Sequence, residues 1–183
     1  MADRFPLRAL CLLLCLLGWP LSAAAATPQR IISLTPHLTE LLYDIGAGDR
    51  IVATDDASDF PPEVAPLPRV ANYRSINLEA LLAQKPDLVV AWRSAQSRML
   101  APVEKLGIPV FYSEPTDFAS LATEMRSLGR LLGTRQKADQ QADAYLARLD
   151  ALKQRYGKPK PVSVFYQLWY PPLTTVANGS YIQ

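Results

Sequence analysis

The chain has 183 residues, 49% hydrophobic and 20% charged, with a net charge of +2 at pH 7. Hydrophobic content is ordinary for a globular protein, and the near-balanced charge gives no sign of an electrostatic nucleic-acid surface. Residues 1–26 read as a secretory signal rather than part of the fold: Arg4 and Arg8 make a positive start, residues 9–17 are almost wholly apolar, and residues 22–26 supply small side chains for cleavage after Ala26. The apolar run is too short, and too poor in following charge, to be a spanning helix. Cys11 and Cys15 both lie inside it, and neither follows the small residue that a lipid-anchor cysteine requires. The mature chain is therefore expected to carry no disulfide, no thiolate metal site and no cysteine nucleophile. Loss of Asp3, Arg4 and Arg8 lowers the net charge by one and leaves about 157 residues, enough for one domain with a proper core. A soluble, exported protein of the periplasm fits these features.

Short β-branched runs then alternate with helical patterns, the signature of a parallel α/β sheet. Residues 30–34 (RIISL) predict the first strand. Thr35 and Pro36 predict a helix start, with the threonine hydroxyl capping free amides, and the helix should run to about Ile45 and stop at Gly46. Residues 51–54 predict a second strand and residues 69–71 a short third. Asn77 can cap a helix over residues 78–84. Residues 88–91 (LVVA) form a continuous apolar strand, as expected when helices cover both faces. A helix over residues 96–106 ends at Gly107, a strand covers residues 110–112, and Asp117 caps a helix reaching about Leu132. Over residues 135–156, Ala138, Ala142, Tyr145, Leu149, Leu152 and Tyr156 recur at helical spacing and mark one apolar stripe on a long helix of about 33 Å. Residues 157–161 break it, and residues 162–166 (VSVFY) predict a new strand.

Ligands of open parallel sheets bind outside the carboxyl ends of the strands. That rule selects Thr35 and His37 after the first strand, Asp55, Asp56 and Ser58 after the second, Tyr73 and Arg74 after the third, Trp92 and Arg93 after the fourth, and Glu114 after the fifth. Tyr73, Trp92 and Arg93 offer a large planar surface beside a donor, suited to a big, flat, partly apolar ligand. Each also has a plainer reading: ordinary rim packing for the aromatics, a solvated or ion-paired rim residue for Arg93. Trp169 and Tyr170 can face a cleft from a second lobe. His37 is the only histidine, so a zinc site, which needs three or four ligands, is not expected. It can meet a metal carried by a ligand, although a histidine of a capping turn or surface accounts for it as well. There is no G-x-S-x-G elbow, no histidine to spare for a triad and no glycine-rich phosphate loop, which argues against a secreted α/β hydrolase and against catalysis generally. No cofactor and no metal centre are expected.

The segments RIISLTPHLTELLYDIGAGDRIVATDDASDFPPE and SINLEALLAQKPDLVVAWR resemble the helical-backbone periplasmic binding proteins for cobalamin, siderophores and haem, and within them the cobalamin branch. The resemblance runs from about Arg30 to Gln183; the NLE…KPDLVVAWR block is its most specific part, and VFYQLWYPPLTT resembles the entry into a second lobe. It implies two α/β lobes joined by one long helix, with ligand between them. The expected division is an N-terminal lobe over residues 27–134, an inter-lobe helix over residues 135–157 and the beginning of an incomplete second lobe over residues 158–183. It further implies a monomeric, non-catalytic carrier that hands cobalamin or a related corrinoid to the permease of an ABC importer, with a siderophore or haem carrier as the alternative. Carried over residue by residue, Trp92 matches a tryptophan lining the ligand cleft and Tyr73 stands where the branch has another tryptophan. Glu79 matches a glutamate that docks onto permease arginines; by its position it is also a first-turn carboxylate favoured by the helix dipole. Ala57 departs from the pattern, standing where the branch has a ligand-contacting tyrosine.

Overall fold

The computed structural model describes residues 26–157 and 163–176. The expected leader, residues 1–26, lies outside them except for Ala26. Strands β1 (Ile31–Ser33), β2 (Ile51–Asp55), β3 (Arg69–Ala71), β4 (Leu88–Trp92) and β5 (Val110–Ser113) form one sheet in the order β3-β2-β1-β4-β5, every pair parallel. Helices α1 (Pro36–Asp44), α2 (Leu78–Ala83), α3 (Arg93–Lys105), α4 (Phe118–Leu131) and α5 (Arg135–Tyr156) connect and extend it.

Successive strand residues point to opposite faces, and the core divides accordingly. Ile31, Leu88 and Val90 pack with Leu38, Leu42 and Ile45 at α1, with Met125 and Leu128 of α4 and with Ala138 of α5. Ile32, Val89 and Ala91 pack on the other side with Leu81 of α2 and Leu100 and Val103 of α3. Covering both faces explains why LVVA carries no polar alternation. Each fully buried Leu or Ile contributes roughly 1.5–3 kcal/mol.

Local chemistry sets most helix ends. Asn77 Oδ1 accepts from the Ala80 amide at 3.0 Å, and Asp117 with Ser120 forms a reciprocal capping box at α4. Gly46 and Gly107 take φ of +79° and +78° after α1 and α3, where a side chain is disfavoured. Asp87 fixes the chain's entry into β1, accepting from the amides of Gln29 at 2.7 Å and Arg30 at 2.8 Å.

Three expectations need correction. Thr35 is the N-cap of α1, but its hydroxyl makes no cap bond and Oγ1 is buried without a partner. The polar tie is made one turn later by Thr39, whose Oγ1 lies 2.8 Å from Ser33 Oγ and 2.9 Å from Ser58 Oγ. Helix α3 starts at Arg93, three residues early, because partners reach its first amides: Gln96 Oε1 accepts from the Trp92 amide at 2.9 Å, and Glu114, from after β5, accepts from the Ser94 amide at 2.9 Å. Residues 163–168 form no strand; an isolated antiparallel bridge joins Trp169 and Thr174. The apolar stripe of α5 is buried only in its first half. Ala138 and Ala142 are fully covered, whereas Leu152 and Tyr156 are 54% and 56% exposed.

Candidate functional site

Chain order runs outward from β1 through β2 to β3, then returns to place β4 on the other side of β1. The loops leaving β1 and β4 therefore part in opposite directions and open a crevice at their carboxyl ends. A cavity of about 640 Å³ occupies that place. Leu34 and Thr35 line it after β1, Asp55, Asp56 and Ala57 after β2, Asn72, Tyr73 and Arg74 after β3, and Trp92, Ala95 and Gln96 at the β4–α3 junction.

The floor is stiff. Gln96, buried in the first turn of α3, donates from Nε2 to the Leu34 carbonyl at 2.7 Å while Oε1 holds the Trp92 amide. It thus clamps the ends of β1 and β4 together and fixes where Trp92 leaves the sheet. On the other side, Asp55 accepts from the Ser58 hydroxyl and, at 3.3 Å, from the Ala57 amide. Arg69 Nη1 donates to the carbonyls of Asp55 at 3.1 Å and Ser58 at 2.6 Å. The Asp55 carboxylate is therefore committed to its own loop rather than presented to a ligand.

On this floor stand two exposed aromatics. Tyr73 is 80% exposed and Trp92 40% exposed, and both line the same cavity. Arg74 stacks its guanidinium 5.0 Å from the Tyr73 ring centre and also lines the cavity. Trp92 in addition walls a second cavity of about 510 Å³ against α1, α4 and α5, where His37, Phe118, Met125 and Tyr145 also stand. The His37 and Trp92 rings meet edge to face, 6.3 Å between centres and 87° between planes. Crowding by protein withdraws water from His37 and pushes its pKa below the ordinary value, with nearby Asp55 acting in the opposite sense.

Other expected residues fall elsewhere. Arg93 lies over the Tyr112 ring at 4.6 Å and lines neither cavity. Burial raises the Tyr112 pKa, Glu104 adds to the rise and Arg93 lowers it. Glu79 is exposed in the first turn of α2 and lines neither cavity. Trp169 and Tyr170 are 65% and 72% exposed and line neither. Gln96 was not anticipated as a site residue; its sole sequence signal is its place four residues after Trp92, within the first turn of the helix that follows. Among the described residues, no three His, Cys, Asp or Glu side chains converge to hold a metal ion.

The family model for periplasmic binding proteins matches residues 31–182. The chain belongs to that family. It is 38% identical over 173 residues to a vitamin B12-binding protein of Vibrio campbellii, a match covering 94% of this chain and 63% of the relative. The vitamin B12-binding protein of Yersinia pseudotuberculosis is 39% identical over 179 residues, covering 97% of this chain and 62% of that protein. Among solved structures, the periplasmic vitamin B12 binding protein of Vibrio cholerae superposes with a TM-score of 0.79 at 36% identity, over 84% of this chain and 61% of that one. A periplasmic heme binding protein of Pseudomonas aeruginosa superposes with a TM-score of 0.66 at 27% identity, over 73% and 50% respectively. The chain thus spans somewhat under two thirds of the length of the curated relatives it matches.

Proposed function

We propose that this family member works in the periplasm as a carrier that captures a corrinoid in the crevice above β1 and β4 and delivers it to an ABC importer. Two exposed aromatic rings on the wall of one switch-point cavity are the observation that carries this reading. A corrin ring has broad apolar faces and a fringe of amides, and such a ligand is held by aromatic contact with few polar anchors. The relatives named for vitamin B12 favour a corrinoid over haem or a siderophore. Residues 27–134 are then the first of two lobes and α5 the connector between them, with Trp169 and Tyr170 offered from the second side. Arg93 reaches the ligand by leaving the Tyr112 ring. One stiff connector restricts hinge opening, so ligand release relies on modest lobe movement and on the importer.

The test is quenching of tryptophan fluorescence in the mature chain titrated separately with cyanocobalamin, haem and a ferric siderophore. Saturable quenching by cyanocobalamin is expected. Saturation by haem with no response to cyanocobalamin would replace the corrinoid by haem as the cargo.

Glu79 is assigned to the importer rather than to the ligand. An exposed carboxylate at a helix start, outside both cavities, is placed to meet a cationic partner surface. Glu79→Ala is expected to leave cyanocobalamin affinity unchanged and to slow uptake by the reconstituted importer roughly tenfold, the size of one charge-assisted contact. Unaltered uptake removes Glu79 from the docking surface.

A further inference from the structure

The stacking pair leaves one rim group without a task. His37, the chain's only histidine, is the second residue of α1, directly after the carboxyl end of β1. Its position is rigid, because the neighbouring Leu38 is fully buried and the Thr39 amide bonds the Thr35 carbonyl at 3.1 Å. The residue keeps solvent access on the rim while neighbouring protein crowds its ring.

We propose that His37 supplies an axial nitrogen to the cobalt of the bound corrinoid, an inference that rests on the corrinoid reading above. A lone histidine cannot build a protein metal site, which takes three or four ligands. A cobalt that arrives already held in the plane of a macrocycle needs just one more donor along its axis, as in proteins where a single imidazole ligates a planar metal macrocycle.

The orientation of the two rings fits that role. A flat macrocycle resting on Trp92 lies parallel to the indole. The metal–nitrogen axis is normal to the macrocycle and lies in the plane of the imidazole, so a coordinating imidazole stands perpendicular to the indole. His37 and Trp92 are 87° apart in plane. Their centres are 6.3 Å apart, close enough for one broad ligand to meet both rings. Trp92 walls both cavities, and a ligand broad enough to cover it also meets the cavity that His37 lines.

The ring nitrogens are also available. Among the described residues the imidazole has its contact with Trp92 and no hydrogen bond. Loss of solvation lowers its pKa, with Asp55 opposing, which favours the neutral form that carries a free lone pair. Such a ligand would select corrinoids whose axial position can exchange over those whose two axial positions are already filled.

The experiment uses tag-free mature protein, so that His37 is the sole imidazole present, and two probes. Diaquacobinamide has exchangeable axial positions and reports ligation through its visible bands; cyanocobalamin has both positions filled and reports cleft binding through tryptophan quenching. Wild type is expected to shift the diaquacobinamide bands to those of an imidazole-ligated cobalt. His37→Ala and His37→Gln are expected to abolish the shift and to weaken diaquacobinamide binding at least about tenfold, a loss larger than any they cause in cyanocobalamin affinity. Quenching by cyanocobalamin without a wild-type band shift, or with a shift that both variants retain, overturns the axial role and leaves the corrinoid reading in place. Absence of quenching by either corrinoid overturns the corrinoid reading itself.

Discussion

Trp92→Ala is expected to weaken cyanocobalamin binding by about 2 kcal/mol, roughly 30-fold, with little change in stability. Trp92 stands at the end of a buried strand and is 40% exposed, so it contributes modestly to the core. It is nevertheless held in place, because the Trp92 amide is fixed by Gln96, which itself anchors on Leu34. A large, pre-positioned aromatic at the centre of a crevice has the character of a binding hot spot. Alanine keeps the backbone bond to Gln96 and removes just the ring. Trp92→Phe should recover part of the loss, since a smaller ring still stacks. Isothermal titration of the mature variants with cyanocobalamin measures the affinities, and circular dichroism on the same samples checks the fold. An unchanged affinity for Trp92→Ala would place the ligand away from the strand ends.

Gly129→Val is expected to destabilise the chain by about 1–3 kcal/mol, the usual range for overpacking a close contact. A Cβ at position 129 would come within 2.2 Å of the Ala138 Cβ and 3.5 Å of the Arg135 Cα. Neither is the flexible tip of a long side chain, so relief requires α5 to move off α4. The flanking ion pairs of Arg126 with Asp139 at 3.8 Å and Asp143 at 2.5 Å are partly exposed and cannot resist that shift. Gly129→Ala meets the same clash but regains about 1 kcal/mol of helix propensity, so it should fall between valine and wild type. Valine, β-branched, lacks most of that gain. Thermal unfolding should show a Tm lower by about 2–12 °C for valine. A valine variant as stable as wild type would mean that the two helices do not rest on each other as described. Because α5 is the proposed connector between lobes, the same substitution should also disturb ligand capture.

Most elements were legible because their signals are local. The third strand at residues 69–71 and the long helix at residues 135–156 fall where side-chain periodicity put them, and Asn77 and Asp117 cap the helices that follow them. Capping and periodicity involve neighbours within a turn or two, so a linear string contains them. The family and the parallel α/β character were also readable, from the alternation of elements and from the NLE…KPDLVVAWR block. Tyr73 stands two residues past β3, whereas Trp92, expected just after the fourth strand, is its last residue; the two share one cavity.

Tertiary structure alone decided the rest. The order β3-β2-β1-β4-β5 sets β4 beside β1, bringing Leu34, Tyr73 and Trp92 around a single crevice from residues far apart in the chain. Arg93 keeps its place at the end of β4, but its guanidinium lies over the Tyr112 ring of β5 rather than lining either cavity. The early start of α3 depends on Glu114, twenty residues away, and the idle Thr35 hydroxyl on a network that Thr39 forms with Ser33 and Ser58. Leu152 and Tyr156 have the spacing of core residues yet are exposed, because a periodic stripe records which face of a helix is apolar and not what covers it. A backbone donor or apolar face takes whichever partner the folded sheet brings near, and that choice is made by three-dimensional proximity rather than by chain position.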